Sequence, residues 1–255
     1  MFPLRDENPT ELTPYVTLVL IITNVLVWLF VQGMGQTEAF LTSLCMYGSI
    51  PGEITGQIAD GFSVFLGPGV QCEVGGLAWG TILTSMFMHG SWLHLIGNMW
   101  FLWVFGNNIE DSMGHMRYLV FYLFTGVLAS LAHIFTGPDS GIPTVGASGA
   151  ISGVMGAYLV LYPKVRIQTL LFLFFYVRVI PMTAWVMLLY WFVIQVFSGA
   201  GSIGLEEGGV AFWAHVGGFV AGLLLIKPFE RRTLVDAKRS GRKLSREEVR
   251  DLGWF

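Results

Sequence analysis

Charge is what this chain is short of. Only 12% of its 255 residues are charged and 54% are hydrophobic, whereas a soluble domain carries roughly 25% charged residues. Mean hydropathy is +0.64. An ordinary water-soluble globule is excluded. Positive charge is missing over whole stretches: no Lys or Arg lies between Arg5 and Arg117. Cysteine is nearly absent, with only Cys45 and Cys72. They could pair if their side of the membrane is oxidising, or remain two thiols. No internal repeat, low-complexity segment or cleavable signal peptide is evident. No nucleic-acid partner, metal or cofactor is expected.

Long apolar runs are what is there. A spanning helix needs about 20 mostly apolar residues. Six runs qualify, at 15–34, 91–109, 117–136, 147–162, 179–198 and 209–228. The fourth is short and spans only if protein encloses its outer end. With the preceding residues 1–14 cytoplasmic, the outside segments 35–90, 137–146 and 199–208 contain seven acidic residues and no Lys or Arg. All fourteen basic residues then lie inside or at its boundary, nine of them from Lys227 to Arg250, as the positive-inside rule requires. The expected fold is an all-α, six-helix membrane bundle with both termini cytoplasmic. Its parts are an N-terminal tail 1–14, a core 15–228 and a basic tail 229–255. Residues 168–177 are expected to be an interfacial or protein-packed lead-in to the fifth helix. The tail is expected to be solvated beside anionic lipid, with KLSREEVRDLGWF able to form a short amphipathic helix.

Three polar clusters interrupt the apolar runs: His94 with Asn98, Ser148, and His215. Polar side chains in lipid are costly and point to function. All three clusters sit near the outer starts of runs two, four and six, His215 roughly 9 Å deep at 1.5 Å per residue. His94 and Asn98 are four apart and share a face. Ser148, Ser152 and Gly156 form one row of the fourth helix, and Gly149 and Gly153 the next. His215, Gly218 and Gly222 share a face of the sixth. Small residues let membrane helices approach closely, which would bring Ser148 to His215. A serine needs a base to become nucleophilic, and His215 would serve. The Ser148 N–H at a helix N-terminus, with His94 and Asn98, would hold the oxyanion. No acidic residue lies nearby in the membrane, so a Ser–His dyad is expected rather than a triad. Paired haem ligation by His94 and His215 would need a roomy cleft, and the glycine-lined faces imply tight contact. No intramembrane carboxylate or inverted repeat supports a transporter. His115 and His133 are expected to face headgroups, His89 to order the loop before the second helix, and Asn24 to act as interhelical glue.

The chain resembles the rhomboid intramembrane serine proteases. The resemblance rests on Gly146-Ala147-Ser148-Gly149 as the GxSG motif, His215 with Gly218 and Gly222 in AHVGGFVAG, His94-x-x-x-Asn98, and Glu110-Asp111-x-x-Gly114-x-x-Arg117. It implies a bacterial-type six-helix core in the inner cell membrane. It also implies cleavage of single-span membrane proteins near the outer surface, with preference for a small residue before the scissile bond. The first external loop would be a membrane-embedded hairpin, 198–208 a mobile cap and the fifth helix a lateral gate. The alternative is a catalytically silent relative that binds membrane clients. Such relatives usually lack the serine or the base, and this chain has both. Oligomeric state is left open. The sequence departs from the family at three positions. Trp79 is followed by Gly80 rather than Arg. Ser152 stands where some members stack an aromatic on the base, so packing against glycine or a water would orient His215. Gly97 replaces a bulky gate residue, leaving the gate more open.

Overall fold

The computed structural model describes all residues except 60, 62, 68–69, 74–77, 174–175, 203–209 and 255. The expected cap 198–208 therefore lies largely outside the described residues.

Six main helices follow the apolar runs: α1 Tyr15–Leu26, α2 Trp92–Met113, α3 His115–Thr136, α4 Ser148–Leu161, α5 Ala184–Gly201 and α6 Phe212–Phe229. Helix α1 continues through a wider turn over Val27–Val31. The α2 start is capped by Ser91, whose hydroxyl accepts from the His94 N–H at 3.1 Å. Gly114, at φ 80°, joins α2 to α3 with a single residue. By length and composition α3, α5 and α6 can each cross a membrane, and α1 and α4 are shorter apolar helices. The chain is thus a multi-pass integral membrane protein. Large apolar side chains such as Leu93, Phe135, Phe197 and Leu224 point outward, which suits contact with lipid tails.

Helix α4 is the axis of the bundle, with residues 149–158 all buried. Its short length is tolerable because protein surrounds it. The contact with α6 is backbone to backbone. A Cβ on Gly218 would overlap the Gly149 carbonyl oxygen, and one on Gly222 the Gly153 carbonyl oxygen. No larger residue fits at either place without separating the helices.

Several expectations are corrected or refined. The bundle is not purely helical. A three-stranded antiparallel sheet orders β1 (Phe2–Asp6), β4 (Arg166–Leu173) and β5 (Tyr176–Thr183), and a second pairs β2 (Ser63–Gly67) with β3 (Val70–Glu73). Within 168–177 the described residues 168–173 and 176–177 are strand, and β5 leads directly into α5 at Ala184. Pro181 cannot donate to a helix, and Val177, Val179, Ile180 and Thr183 are β-branched residues that favour strand. Residues 1–14 are not a free tail, because β1 pairs with β4 from Phe2↔Leu170 to Asp6↔Ile167.

The basic tail is folded as well. Helix α7 (Arg232–Ser240) buries Leu234, Val235 and Ala237, and α8 spans Arg246–Trp254. The α8 start is a capping box: Ser245 Oγ accepts from Glu248 N–H at 3.2 Å, and Glu248 accepts from Ser245 N–H at 2.9 Å. Cys45 and Cys72 form a disulfide, with Cα atoms 5.2 Å apart.

At the end of the bundle away from Ser148, the polar groups form a dense network. Glu110 accepts from Val16 N–H, Thr17 N–H and Thr17 Oγ1 at 2.7–2.9 Å and meets His115 Nδ1 at 2.6 Å. His115 is thus buried against a carboxylate and does not face headgroups. Asp111 accepts from Glu11 and Leu12 N–H and from Lys238 Nζ of α7 at 2.8 Å. Asp6 accepts from Asn108 and Tyr158 at 2.7 and 2.6 Å. Asn24 bonds the carbonyl of Leu20 in its own helix, so it is not interhelical glue.

Candidate active site

Ser148 opens α4 at the end of a loop that the rest of the protein pins in place. Ser49 and Thr144 exchange backbone hydrogen bonds of 3.0 and 2.8 Å, and Gly146 N–H donates to the Ser85 carbonyl at 2.9 Å. Gly146 has φ +134°, a conformation that disfavours any side chain. A Cβ there would also stand 2.9 Å from His94 Nε2 and 3.4 Å from Ser148 Oγ. The first glycine of the motif therefore keeps open the space between His94 and the serine. Ser148 lies in the first turn of α4, where the helix cannot satisfy its own N–H groups.

His215 on α6 meets the serine across the glycine contact: His215 Nε2 lies 2.8 Å from Ser148 Oγ. The other ring nitrogen, Nδ1, lies 2.8 Å from Gln195 Oε1 on α5. The ring also packs on Trp191, with centroids 5.8 Å apart and planes at 36°, and edge-on to Phe212 at 6.4 Å. Orientation of His215 by glycine packing or a water is thus corrected: a side-chain amide and two aromatic rings surround it. Sequence reasoning missed Gln195 and Trp191. The available signal was one amide inside the apolar run of α5.

His94 is held from behind. Gly90 N–H donates to its Nδ1 at 3.3 Å, so the ring proton resides on Nε2, the edge that faces Gly146. His89 packs edge-on against it at 5.1 Å. His89 is fully buried, and its backbone is clamped by both amide atoms of Gln32 at 2.7 and 2.8 Å. Asn98 is buried one turn below His94, with Nδ2 unpartnered among the described residues. A buried unsatisfied amide is a donor awaiting an acceptor. His133, expected to face headgroups, has a buried Nδ1 with no partner among the described residues.

Next to Ser148 lies a cavity of about 20 Å³ lined by Ser85, Ser130, Gly146 and Ser148 among others, room for one water. The sequence-derived set Ser148, His215, His94 and Gly146 thus converges on one place, with Gly149, Gly218 and Gly222 forming the helix contact behind it. Among the described residues no group of His, Cys, Asp and Glu could hold a metal ion. Chemically, the arrangement offers a hydroxyl on an imidazole beside a glycine-kept space bordered by N–H donors.

Comparison with known proteins agrees in its coverage. A family model described as Rhomboid domain matches residues 77–232, a span holding every site residue named above except Gln32 and Ser49. Rhomboid protein 1, mitochondrial, of Saccharomyces cerevisiae is 32% identical over 148 residues, covering 56% of this chain and 40% of that protein. Rhomboid-like protein 11, chloroplastic, of Arabidopsis thaliana is 40% identical over 77 residues, 30% of this chain and 27% of the relative. Rhomboid protease GluP of Bacillus subtilis is 38% identical over 81 residues, 32% and 15% respectively. In each case the match spans less than half of the relative.

Proposed function

This chain belongs to the rhomboid family, and on that premise we propose that it is an intramembrane serine endopeptidase acting through Ser148 and His215. The observation that carries this is the 2.8 Å contact between His215 Nε2 and Ser148 Oγ. Ser148 Oγ attacks the scissile carbonyl carbon while its proton passes to His215 Nε2. The carbonyl oxygen becomes an oxyanion, held by the Ser148 N–H, His94 Nε2–H and Asn98 Nδ2. As the C–N bond breaks, His215 gives that proton to the leaving amine. Water then attacks the acyl-enzyme as His215 takes its proton, and the Oγ–C bond breaks as His215 returns that proton to Oγ, which restores the serine and releases the new carboxyl terminus.

The substrates proposed are single-span membrane proteins in the surrounding bilayer. They are cut near the outer surface of a bacterial inner membrane by a six-span core with cytoplasmic termini. The basic stretches of the sequence and the shallow position of Ser148 at a helix start support that placement.

The test is cleavage of a fluorogenic single-span substrate by purified protein in liposomes. Ser148→Ala and His215→Ala are each expected to lower turnover by about 10³-fold or more with the melting temperature preserved. A wild type that cuts none of several substrates, and whose Ser148 is not labelled by a fluorophosphonate, would instead indicate a client-binding protein.

A further inference from the structure

Building on the protease reading, we propose that Gln195 is a positioning residue that fixes the tautomer and ring plane of His215. Gln195 is buried on α5, and its Nε2 donates to the Trp191 carbonyl one turn earlier at 3.3 Å. A carbonyl can only accept, so that contact selects the amide orientation and turns Oε1 toward His215. Oε1 also can only accept, so His215 Nδ1 at 2.8 Å must carry the ring proton. Nε2 is then the bare nitrogen, and it faces the Ser148 hydroxyl. One carbonyl on α5 thus determines, through two hydrogen bonds, which nitrogen of the α6 histidine can take a proton from α4.

The same contact fixes the ring plane. An imidazole turned by 180° about its second side-chain torsion would set carbon atoms against both Gln195 and Ser148. Trp191 and Phe212 border the ring without supplying a directional bond. An amide suits this place better than a carboxylate. The site lies among membrane helices, where an added buried charge is costly. Among the described residues, the titratable side chains that bear on His215 are His94 on α2 and His133 on α3. A neutral acceptor still holds the Nδ1 proton when His215 becomes an imidazolium.

The test combines spectroscopy with kinetics. In protein labelled with ¹⁵N-histidine, the His215 signals are identified by their loss in His215→Ala. They are expected to show a single Nδ1–H tautomer in wild type and a mixture in Gln195→Leu. In liposomes Gln195→Leu is expected to lower kcat about tenfold, the worth of one oriented hydrogen bond, with KM unchanged and a small drop in melting temperature from the two bonds lost. Gln195→Glu, which keeps an acceptor oxygen, is expected to recover most of that loss. An unchanged tautomer and kcat in Gln195→Leu would overturn the proposal while leaving the Ser–His protease intact. A wild type that neither cleaves nor reacts with a fluorophosphonate breaks the protease reading instead, and the nitrogen spectrum still decides whether Gln195 sets the tautomer.

Discussion

The two ends of the helix bundle treat buried polar groups in opposite ways. Around Glu110 and Asp111, each carboxylate gathers three or four partners from separate segments, and Lys238 reaches in from α7 to complete the set. Around Ser148, partners are rationed. The hydroxyl has one imidazole, Asn98 Nδ2 has none among the described residues, and both ring nitrogens of His89 are likewise unpartnered. A saturated network holds segments together, because removing any member strands the others. An unsaturated one keeps donors available for charge that appears only during a reaction. Burial of a polar residue in a membrane protein does not by itself distinguish the two. The count of satisfied partners separates the two carboxylates from Asn98 and His89, although the Tyr118 hydroxyl beside Thr17 is also buried without a partner among the described residues.

That contrast predicts which mutations act on folding and which on turnover. Glu110→Leu would leave the Val16 and Thr17 donors and His115 without their acceptor. A loss of about 3–5 kcal/mol is expected, seen as a large drop in melting temperature in detergent, with cleavage per folded molecule unchanged. Asn98→Ala is the mirror case. Turnover should fall about hundredfold, or roughly 2.7 kcal/mol, while the melting temperature stays put, since no bond to Nδ2 is lost. Equal effects of Asn98→Ala on both readouts would erase the distinction.

A gentler probe is pH. Burial pushes the Asp6 carboxyl from 3.8 up to about 6, against the opposing effects of the Tyr158 hydrogen bond and the Lys238 charge. A carboxyl whose folded pKa is raised favours folding fully below about 4, and that contribution is lost as pH rises through about 6. Folding free energy is therefore expected to weaken between those values by about 1–3 kcal/mol, read as a falling melting temperature. Asp6→Asn should flatten the slope, since one oxygen can still accept from Asn108 and Tyr158. The smallest effect expected is at Gly97, where a Cβ would meet nothing within 4 Å. Gly97→Phe should reduce substrate turnover by only a few-fold, without a change in the melting temperature. No change in turnover would show that this space is irrelevant to substrate entry.

The catalytic candidates were legible in the sequence because each is costly where it stands. Ser148, His215, His94 and Asn98 interrupt apolar runs, and the glycine rows at 149, 153, 218 and 222 announce a close helix contact. Gln195 was not legible in the same way. A single amide in a spanning helix is common as a local bond to its own backbone. Its register against His215 depends on how the chain between α5 and α6 returns. The β4–β5 hairpin was hidden for another reason. Both of its faces are rich in apolar residues, so the alternation that marks a strand is weak and the run reads as helix. Lys238 was read as part of a solvated tail, because nothing in a basic sequence marks the one ammonium that turns inward to Asp111.

The pairing of β1 with β4 also has a consequence for how the protein is made. Pro3 lies opposite Thr169, so one strand leaves the ribosome long before its partner. At 5–20 residues per second, the wait is roughly 10 to 30 s. During that time Phe2–Asp6 lacks its strand partner and can meet only earlier elements such as α2, through Trp100 and Asn108. The acceptor Asp6 can meet Asn108 once α2 has been translated, but it receives Tyr158 only after α4. The sheet is therefore a late seal on the assembly. A bulky fusion placed directly before Phe2 is expected to delay that closure more than one placed after α8.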